Sequence, residues 1–375
     1  MTVKKTVSLI LFFSEHRIMK KIKVAIIGYG GMGGWHADHI REMDKFELAG
    51  VWDIDPARLE LAESRGIHAY GSLEELLSDE EVELVTIATW NDVHKPLAIQ
   101  AMRAGKNVIS EKPVTMTTAD LEDMIAVSKE TGKLFTVHQN RRWDDDYLTM
   151  KNVVDKNLLG RVFRIESRVQ GSRGIPGDWR KEKGHGGGMV LDWGVHLLDQ
   201  ALTLCDDDKL ESVYAHVTHI TNDECDDGFY TELQFKSGLR YMVEVTTNNF
   251  IELPRWYILG ENGSTVIDNW DLDGRTVVVH DWSKIDSVPV KAGTGITKTM
   301  APRTDETIHE EPLEKVHGQW IQYYDNIYDV IVNGAEQIVN HRQMRRCIAL
   351  IEAIFASAEK NEVIRFDDRY YRSAE

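Results

Sequence analysis

The sequence predicts an α/β fold: an N-terminal Rossmann domain followed by a C-terminal α+β domain with a largely antiparallel open sheet. Up to about residue 141, strand-like runs alternate with helical segments, which is typical of a doubly wound parallel sheet. Beyond that point, β-rich runs follow one another through short turns. The 375 residues, 42% of them hydrophobic, are enough for two cores. We therefore predict domains at 19–141 and 142–375, preceded by a tail at 1–18.

The first eighteen residues resemble a signal peptide only in part. Lys4 and Lys5 precede an apolar run at 7–13, but the run is short and no small-residue cleavage site follows it. Met19 would be an ordinary start just before the first predicted strand. We interpret 1–18 as an upstream-start extension or a loose tail, with export as the alternative. The three cysteines are widely separated and suggest no disulfide framework, so the predicted location is the reducing cytoplasm.

The elements of the first domain follow from short apolar runs and the helical segments between them. Strands are predicted at 22–27, 47–53, 84–88, 107–110 and 134–138, and helices at Leu73–Leu77, Pro96–Ala104 and Thr118–Thr131. The first strand ends at a turn, Gly28-Tyr29-Gly30-Gly31-Met32-Gly33, and a helix is predicted from Gly34 to Met43. This order of strand, G-x-G-x-x-G and helix is the dinucleotide-binding fingerprint.

Asp53 completes the fingerprint at the end of the second predicted strand. An acid at this position can bind both ribose hydroxyls of NAD, and it repels the 2′-phosphate of NADP. Ile54 and Asp55 follow Asp53, so no Arg stands directly after it to neutralise a phosphate. Arg58 is the one nearby positive charge that could favour NADP. The sequence therefore predicts NAD as cofactor in preference to NADP.

The second domain is predicted from β-rich runs and a helical C-terminal segment. The runs are Arg161–Gln170, Leu210–Ile220, Gly228–Phe235, Leu239–Thr247, Arg255–Leu259, Ser264–Asn269 and Arg275–His280, with helix from Gly318 to Lys360 and a last strand at Val363–Phe366. The runs Tyr230–Phe235 and Tyr241–Val245 carry apolar residues in both alternating sets. Because helices cover only one face, we expect the other face to pair with a second copy, giving a homodimer or homotetramer.

Charge and composition exclude several classes of partner. The net charge is −17 and no Lys/Arg-rich segment interrupts the acidic background, so we expect neither nucleic acid nor a membrane surface as partner. No later run is long enough to span a membrane. We also expect no metal: the cysteines lack a C-x-x-C pattern, and the acidic clusters at Asp144–Asp146 and Asp206–Asp208 are interpreted as solvated loops.

Two constellations carry candidate chemistry. Glu111-Lys112-Pro113 follows the predicted strand 107–110 and places one amine where a cofactor would lie. Asp192 and His196, after the glycines at 186–188, are i and i+4 on a helix predicted to start near Met189. An imidazole beside a carboxylate can accept a hydroxyl proton near neutral pH. From spacing alone, an ordinary surface ion pair at 192 and 196, or a solvent-exposed Lys112, is the more conservative interpretation.

Taken together, the motifs resemble those of the glucose–fructose oxidoreductase and inositol dehydrogenase family of NAD(P)-dependent sugar and cyclitol oxidoreductases. The resemblance extends from about Lys20 to Phe366. Its motifs are Gly28-x-Gly30-x-x-Gly33, Asp53, the run 88–94, Ala104-Gly105-Lys106-Asn107-Val108, Glu111-Lys112-Pro113, Asn140-Arg141-Arg142-Trp143, and Gly186-Gly187-Gly188 with Asp192 and His196. Where many relatives have Thr-Pro-Asn, this chain has Thr89-Trp90-Asn91, so we expect a large aromatic side chain at the nicotinamide side of the cleft or at its rim.

The resemblance implies roles for individual residues. Lys112, Asp192 and His196 would be catalytic: His196 as general base, Lys112 as donor to the reacting oxygen, and Asp192 orienting the substrate or His196. Glu111 would hold Lys112 or contact the nicotinamide ribose. The implied cofactor site is Gly28, Tyr29, Gly30, Gly31, Met32, Gly33, Asp53, Ile54, Thr89, Trp90, Asn91, His94, Glu111 and Lys112. The implied substrate site is Asn140, Arg142, Trp143, Asp178, Trp179, Asp192 and His196.

The predicted activity is metal-free, NAD-dependent hydride transfer at a secondary hydroxyl of a sugar, sugar derivative or cyclitol. Two alternatives stay open at this stage. The first is a relative that cleaves or activates a glycosidic bond by transient oxidation, without net redox change, using the same three residues. The second, from another class, is a nucleotide-sensing regulator with this fold and no chemistry. Steady NADH production with a substrate would distinguish net oxidation from the first alternative. Turnover of any polyol would exclude the second alternative.

Overall fold

The computed structural model describes residues 20–283 and 289–372 and contains a five-stranded parallel sheet in its N-terminal part. The sheet order is β2-β1-β3-β4-β5. The strands are β1 (Ile22–Ile27), β2 (Phe46–Trp52), β3 (Leu84–Ile87), β4 (Asn107–Ser110) and β5 (Phe135–Val137). The helices are α1 (Gly31–Glu42), α2 (Pro56–Ser64), α3 (Leu73–Ser78), α4 (His94–Arg103) and α5 (Thr118–Thr131). The predicted Rossmann sheet is confirmed, and the predicted tail at 1–18 lies outside the described residues.

Local sequence signals explain these elements. All but one residue of β1 is buried, as expected for a strand covered by helices on both faces. Asp55, Ser72 and Thr117 each accept a backbone hydrogen bond in the first turn of the following helix. Strand order reverses between β1 and β3, so the crevice for a ligand opens outside their carboxyl ends.

The second sheet has nine strands and is antiparallel except at one pair. Its order is β15-β12-β11-β10-β6-β9-β8-β7-β16, and only β6 and β9 are parallel. The strands are β6 (Val162–Gln170), β7 (Leu210–Thr218), β8 (Gly228–Phe235), β9 (Arg240–Thr246), β10 (Trp256–Gly260), β11 (Gly263–Ile267), β12 (Gly274–Val279), β15 (Ile308–Glu311) and β16 (Ile364–Arg365), with β13 (Val290–Ala292) and β14 (Gly295–Thr297) forming a separate hairpin. The predicted C-terminal α+β domain with a largely antiparallel sheet is confirmed.

Four helices accompany the second sheet: α6 (Asp145–Asp155), α7 (Val195–Leu204), α8 (Ile321–Asn333) and α9 (His341–Lys360). One of them returns to the first sheet. On α8, the Tyr323 hydroxyl donates to Val137 O (3.1 Å) and the Tyr328 hydroxyl to Lys20 O (3.0 Å). The C-terminal part of the chain therefore braces the Rossmann sheet. None of the helices in the described ranges combines the length and apolar composition of a membrane-spanning segment.

Two expectations about polar residues are wrong. On β8, the inner residues are buried, whereas the outer set (Tyr230, Glu232 and Gln234) is only half-buried and largely polar, so the outer face is not the apolar surface we expected.

The cluster at 144–146 is not a solvated loop. Asp146 is 2% exposed and accepts from the Trp256 indole (2.8 Å), and it pairs with Arg255 (2.9 Å). A buried carboxylate needs such partners, and they are the first residue of β10 and the residue before it, more than a hundred positions along the chain.

Candidate active site

The glycine turn has the shape that a dinucleotide requires. Gly28 has φ +93°, and a Cβ there would lie 2.5 Å from Ala88 O. A Cβ on Gly33 would lie 1.9 Å from Gly28 O, so only glycine lets α1 approach β1 this closely. A Cβ on Gly30 would meet no atom within 4 Å. Helix α1 begins at Gly31, three residues earlier than predicted, and Met32 lies exposed in its first turn. This open helix N-terminus fits a pyrophosphate.

The Asp53 carboxylate turns toward the glycine turn. Its Oδ2 accepts from the backbone N–H of Tyr29 (2.6 Å) and its Oδ1 from that of Asp55 (2.8 Å). The Tyr29 side chain is buried, so this residue contributes its backbone to the crevice. Ile54 is 87% exposed beside it. The carboxylate is thus fixed at the crevice edge in the place where an acid selects the ribose.

The segment after β3 joins the two halves of the cleft. Asn91 Nδ2 donates to Gly186 O (2.8 Å), and the Trp90 ring lies 4.1 Å from the His185 ring, between centroids. Trp90 is 49% exposed, consistent with an aromatic at the rim. His94 is fully buried between Pro113 O (2.9 Å) and Thr89 O (3.2 Å), so it braces these loops and does not face the cleft. Burial lowers the pKa of His94.

Lys112 and Asp192 meet across the cleft. Lys112 Nζ lies 2.9 Å from both the main-chain oxygen and Oδ1 of Asp192. The other carboxylate oxygen of Asp192, Oδ2, lies 3.1 Å from Nε of Arg180. Burial raises the pKa of Asp192, but the positive charges of Lys112 and Arg180 outweigh it, and the pKa is lowered below its ordinary value. Asp192 is therefore an ionised carboxylate between two cations.

His196 lies near this ion pair, and the helix predicted to start near Met189 is present, but its first part is π-helical and not α-helical. Val190–Gly194 form a π-helical turn, and α7 starts only at Val195, so the two side chains do not follow the spacing of an α-helix. Asp192 turns to Lys112 and Arg180 instead. In the described part of the chain, Nδ1 of His196 is buried without a hydrogen-bond partner. Burial first, and then the charges of Lys112 and Arg141, lower the pKa of His196 well below its ordinary value.

Glu111 lies between two histidines behind Lys112. It is 5% exposed, and its Oε1 accepts from His36 Nε2 (2.8 Å) and from His138 Nδ1 (2.8 Å). Its Oε2 accepts the backbone N–H of Lys112 (3.1 Å). Of the two roles implied for Glu111, this geometry matches holding Lys112. His36 and His138 carry no sequence motif that we recognised, and only the position of His36 on α1, just after the fingerprint, could have drawn attention to it.

The residues predicted to bind substrate differ in their placement. Asn140 and Trp143 are partly buried in one turn after β5, and Trp143 packs against Tyr323, with ring centroids 6.0 Å apart. Arg142 is 6% exposed, and its guanidinium makes a bidentate pair with Asp199 (2.6 and 2.7 Å). Its Nη1 donates to Ile338 O (3.2 Å) and to Gln343 Oε1 (2.9 Å), so the guanidinium has no pair of donors left for a substrate. We therefore correct the expectation for Arg142, which joins α7 to the core.

Asp178 and Trp179 contribute to the cleft through Arg180. The Arg180 guanidinium lies 4.9 Å from the Trp179 ring, and its Nη1 donates to Asp178 Oδ2 (2.8 Å). Arg180 thus connects the exposed loop at 178–180 to Asp192. The sequence predicts that the loop 178–180 contacts substrate, but it does not predict the contact of Arg180 with Asp192, because no periodic pattern marks a loop arginine whose partner is twelve residues away.

Aromatic side chains lie beside His196, and of these the sequence indicates Trp193 as a candidate for a sugar ring but not Trp270. The Trp193 and His196 rings lie 6.2 Å apart, and the Arg141 guanidinium lies 4.2 Å from the Trp193 ring centroid. Trp270, from the loop between β11 and β12, lies 6.1 Å from Trp193. Flat rings of this kind suit the apolar face of a sugar or cyclitol. The contact of Trp270 depends on a turn between distant strands, which no local motif indicates.

Comparison with known proteins identifies the family. Residues 22–139 match the model of the oxidoreductase family with an NAD-binding Rossmann fold, and 147–266 match the GFO/IDH/MocA C-terminal domain. The chain belongs to this family. The oxidoreductase YdgJ of Escherichia coli, itself uncharacterised, is 30% identical over 90% of this chain and 96% of its own length. In Bacillus subtilis, scyllo-inositol 2-dehydrogenase (NADP(+)) IolW is 27% identical, covering 96% of this chain and all of the relative.

A solved structure supports the same family assignment. An NAD-binding protein from Listeria innocua is 46% identical and superposes with a TM-score of 0.90, covering 92% of this chain and 100% of its own. The protein is therefore an NAD(P)-dependent oxidoreductase of the Gfo/Idh/MocA family. The resemblance stated from the motifs is confirmed, and the interpretation as a regulator without chemistry loses its basis.

Proposed function

We propose that this enzyme transfers a hydride between a secondary hydroxyl of a sugar, sugar derivative or cyclitol and NAD, with Lys112, Asp192 and His196 as its catalytic residues. One observation carries the proposal. The amine of Lys112, in the turn after β4, pairs with the carboxylate of Asp192, and the imidazole of His196 follows Asp192 by four residues in the same helical segment. The name of the related inositol dehydrogenase supports the substrate class.

His196 supplies the proton acceptor. Because its pKa lies well below the ordinary value, the imidazole is neutral at pH 7 and can accept the hydroxyl proton. The positive charges of Lys112 and Arg141 that lower this pKa would also stabilise negative charge on a substrate oxygen bound beside the imidazole. The same charges then favour transfer of the proton onward from the imidazole after it has been accepted.

Lys112 supplies the electrostatic stabilisation. Its Nζ donates two hydrogen bonds to Asp192 and has three N–H donors in all, so one is left for the alcohol oxygen. Asp192 acts by holding the amine, and Arg180 holds Asp192 through the other carboxylate oxygen. This chain of contacts fixes the amine before substrate binds, which reduces the cost of orientation in the reaction.

The cofactor would be held by the first domain. Gly28, Gly30 and Gly33 leave room for the pyrophosphate at the start of α1, Asp53 would bind the adenosine ribose, and Trp90 would border the nicotinamide side. When bound, the nicotinamide supplies the hydride acceptor or donor. We propose NAD over NADP because of the fixed Asp53 carboxylate, although IolW is named as an NADP(+) enzyme.

A screen for cofactor reduction tests the proposal. Purified protein is incubated with NAD or NADP and a panel of inositols, aldoses, uronic acids and anhydro sugars, and absorbance of the reduced cofactor is followed. We expect steady NADH production with at least one polyol, and a rate lower by roughly a hundredfold or more from the Lys112→Met variant. Cleavage of a glycoside without net NADH would support the redox-assisted alternative instead. Absence of both activities over the whole panel would count against the proposal.

A further inference from the structure

We propose that His36, His138 and Tyr324 act with Glu111 as one buried hydrogen-bonded unit that positions Lys112 for catalysis. The proposal rests on the function proposed above, because it takes Lys112 as the catalytic amine. Each member comes from a different element: His36 from α1, Glu111 from the end of β4, His138 from the end of β5, and Tyr324 from α8.

The hydrogen bonds of this unit have one consistent arrangement. Glu111 Oε1 can only accept, so His36 Nε2 and His138 Nδ1 must both carry a hydrogen toward it (2.8 Å each). His36 then presents Nδ1 as an acceptor to the Tyr324 hydroxyl, with which it is hydrogen-bonded. Burial lowers the pKa of His36, which agrees with a neutral ring, and burial raises the pKa of Tyr324 well above its ordinary value.

Glu111 is an anion at the centre of the unit. Burial raises its pKa, but the charge and hydrogen bond of His138 and the hydrogen bond of His36 outweigh burial, and the pKa lies well below the ordinary value. Glu111 Oε2 remains free to accept the backbone N–H of Lys112. Lys112 is thereby held at both ends, at its backbone by Glu111 and at Nζ by Asp192.

The unit also spans the parts of the protein that must act together. α1 carries the pyrophosphate end of the crevice at its N-terminus, and His36 lies on its second turn. α8 belongs to the C-terminal part of the chain, and its Tyr323 packs edge-to-face on His138, with centroids 4.8 Å apart. A shift in either helix would therefore reach Lys112 through Glu111. This makes the three residues positioning groups for the amine, without contact with substrate.

His36, Glu111 and His138 could in principle hold a metal ion, because imidazole and carboxylate groups are common metal ligands. Their ligand atoms lie within 4.8 Å of one another. The hydrogen bonds favour the ion-free arrangement. Both rings already point a nitrogen at one carboxylate oxygen, and Tyr324 satisfies the remaining nitrogen of His36. All three side chains are also almost fully buried, which leaves no open position for water or substrate on an ion. We therefore assign the cluster to positioning, and metal content becomes an outcome of the test.

Matched substitutions separate positioning from simple packing. His138→Leu removes the donor, whereas His138→Asn keeps an N–H near the place of Nδ1. His36→Leu and His36→Gln form the equivalent pair, because the Gln amide takes the place of Nε2. Tyr324→Phe removes one hydroxyl and leaves the ring, so it tests the unit if a leucine variant fails to fold. Lys112→Met is measured in parallel.

Two readouts are used on the full-length protein. The first is kcat for the polyol found by the screen, together with KM and the NAD dissociation constant. The second is the rate at which Nζ of Lys112 is acylated by acetic anhydride, measured by mass spectrometry relative to the surface residue Lys95. We expect His138→Leu to lower kcat by about tenfold to a hundredfold, the scale of a misplaced catalytic group, with NAD binding unchanged. In the same variant, Lys112 should be acylated faster than in the wild type. His138→Asn should bring both kcat and the acylation rate most of the way back to the wild-type values.

The outcomes distinguish this proposal from the proposed function. If His138→Leu keeps the wild-type kcat and acylation rate while Lys112→Met is inactive, the unit does not position Lys112. If Lys112→Met keeps its turnover, the proposed function fails, and the acylation rates still decide whether the unit holds the amine. Stoichiometric zinc or another divalent metal in the purified protein, lost from the His36→Gln and His138→Asn variants, would replace positioning by metal binding.

Discussion

Lys112 Nζ donates to both the main-chain oxygen and the Oδ1 of Asp192, at 2.9 Å each, across eighty residues of sequence. The main-chain contact matters as much as the ion pair, because it depends on the path of the π-turn at Val190–Gly194 and not on a side-chain rotamer. The amine is thus fixed by the backbone of the C-terminal part of the chain and by its own turn after β4. This relationship underlies the predictions about catalysis.

We expect Lys112→Met to lower kcat by roughly a hundredfold or more, because the variant cannot donate to the reacting oxygen. Methionine keeps most of the side-chain volume, so the fold should survive. Lys95→Met is the matched control, since the ion-pair partners of Lys95 within 20–283 and 289–372 are the surface acids Asp120 and Asp123. Steady-state rates of both variants on the same polyol decide the point. Turnover of the Lys112 variant close to wild type would remove Lys112 from the mechanism.

His196 predicts an unusual pH profile. A general base must be neutral, and the neutral form predominates above the pKa, which lies below the ordinary 6.5 in the folded protein. We therefore expect the acidic limb of kcat/KM to fall below pH 6.5. Arg141→Met removes one of the positive charges that depress this pKa, so the limb should move up toward 6.5. Lys112, Glu111 and His138 also face the ring and stay unchanged in this comparison. A wild-type limb at or above 6.5 would contradict the assignment.

Local patterns were sufficient for the fold and for the position of the cofactor crevice. The strands around the crevice are short and apolar, and the glycine turn imposes its own geometry, so β1 to β5 and α1 follow from sequence. Contacts between segments that are distant in the sequence could not be predicted from local patterns. The π-turn changed the geometry of Asp192 and His196, and Arg142 and Asp146 proved to be buried ion pairs, each with a partner far along the chain. Sequence spacing predicts which residues are neighbours on one helix or strand. Burial and ion pairing depend on packing between elements that are far apart in the sequence, so spacing does not predict them.

The position of Asp53 leads us to expect that the protein binds NAD in preference to NADP. Its carboxylate is held by two backbone N–H groups, so it presents a fixed negative charge that would repel a 2′-phosphate. We expect tighter binding of NAD than of NADP in a titration of tryptophan fluorescence, and a smaller difference in the Asp53→Ala variant. Glu60→Ala, an exposed acid on α2, is the control for a general change in charge. Equal or tighter binding of NADP by the wild type would show that the preference is wrong.

The outer face of the nine-stranded sheet predicts self-association. This face carries Tyr230 and Met242 together with an ion-pair ladder in which Arg168 joins Glu166 and Glu244. We expect a dimer or a tetramer of dimers in light scattering at micromolar concentration, since a paired sheet face would exclude water from this mixed surface. Arg168→Glu should shift the mass toward the monomer, and Arg58→Glu on exposed α2 should not. A monomer mass for the wild type would mean that this face is stable in water.

The buried carboxyl of Asp226, next to the π-turn at Val190–Gly194, is expected to make the stability of the protein depend on pH. Its Oδ2 accepts from the backbone N–H of Val190 (2.8 Å), at the start of the π-turn, and burial raises its pKa to about 7. The folded protein therefore binds a proton that the unfolded chain releases near pH 4. The stability from this proton is complete at low pH and is lost as the pH rises through 7. Asp226→Asn keeps an acceptor oxygen and has no charge to bury. We expect the variant to be more stable than wild type at pH 8, on the order of 1 kcal/mol or more, with the difference shrinking at pH 5. Thermal unfolding at both pH values measures this, and a variant less stable than wild type at pH 8 would mean that the ionised carboxylate is needed to hold Val190.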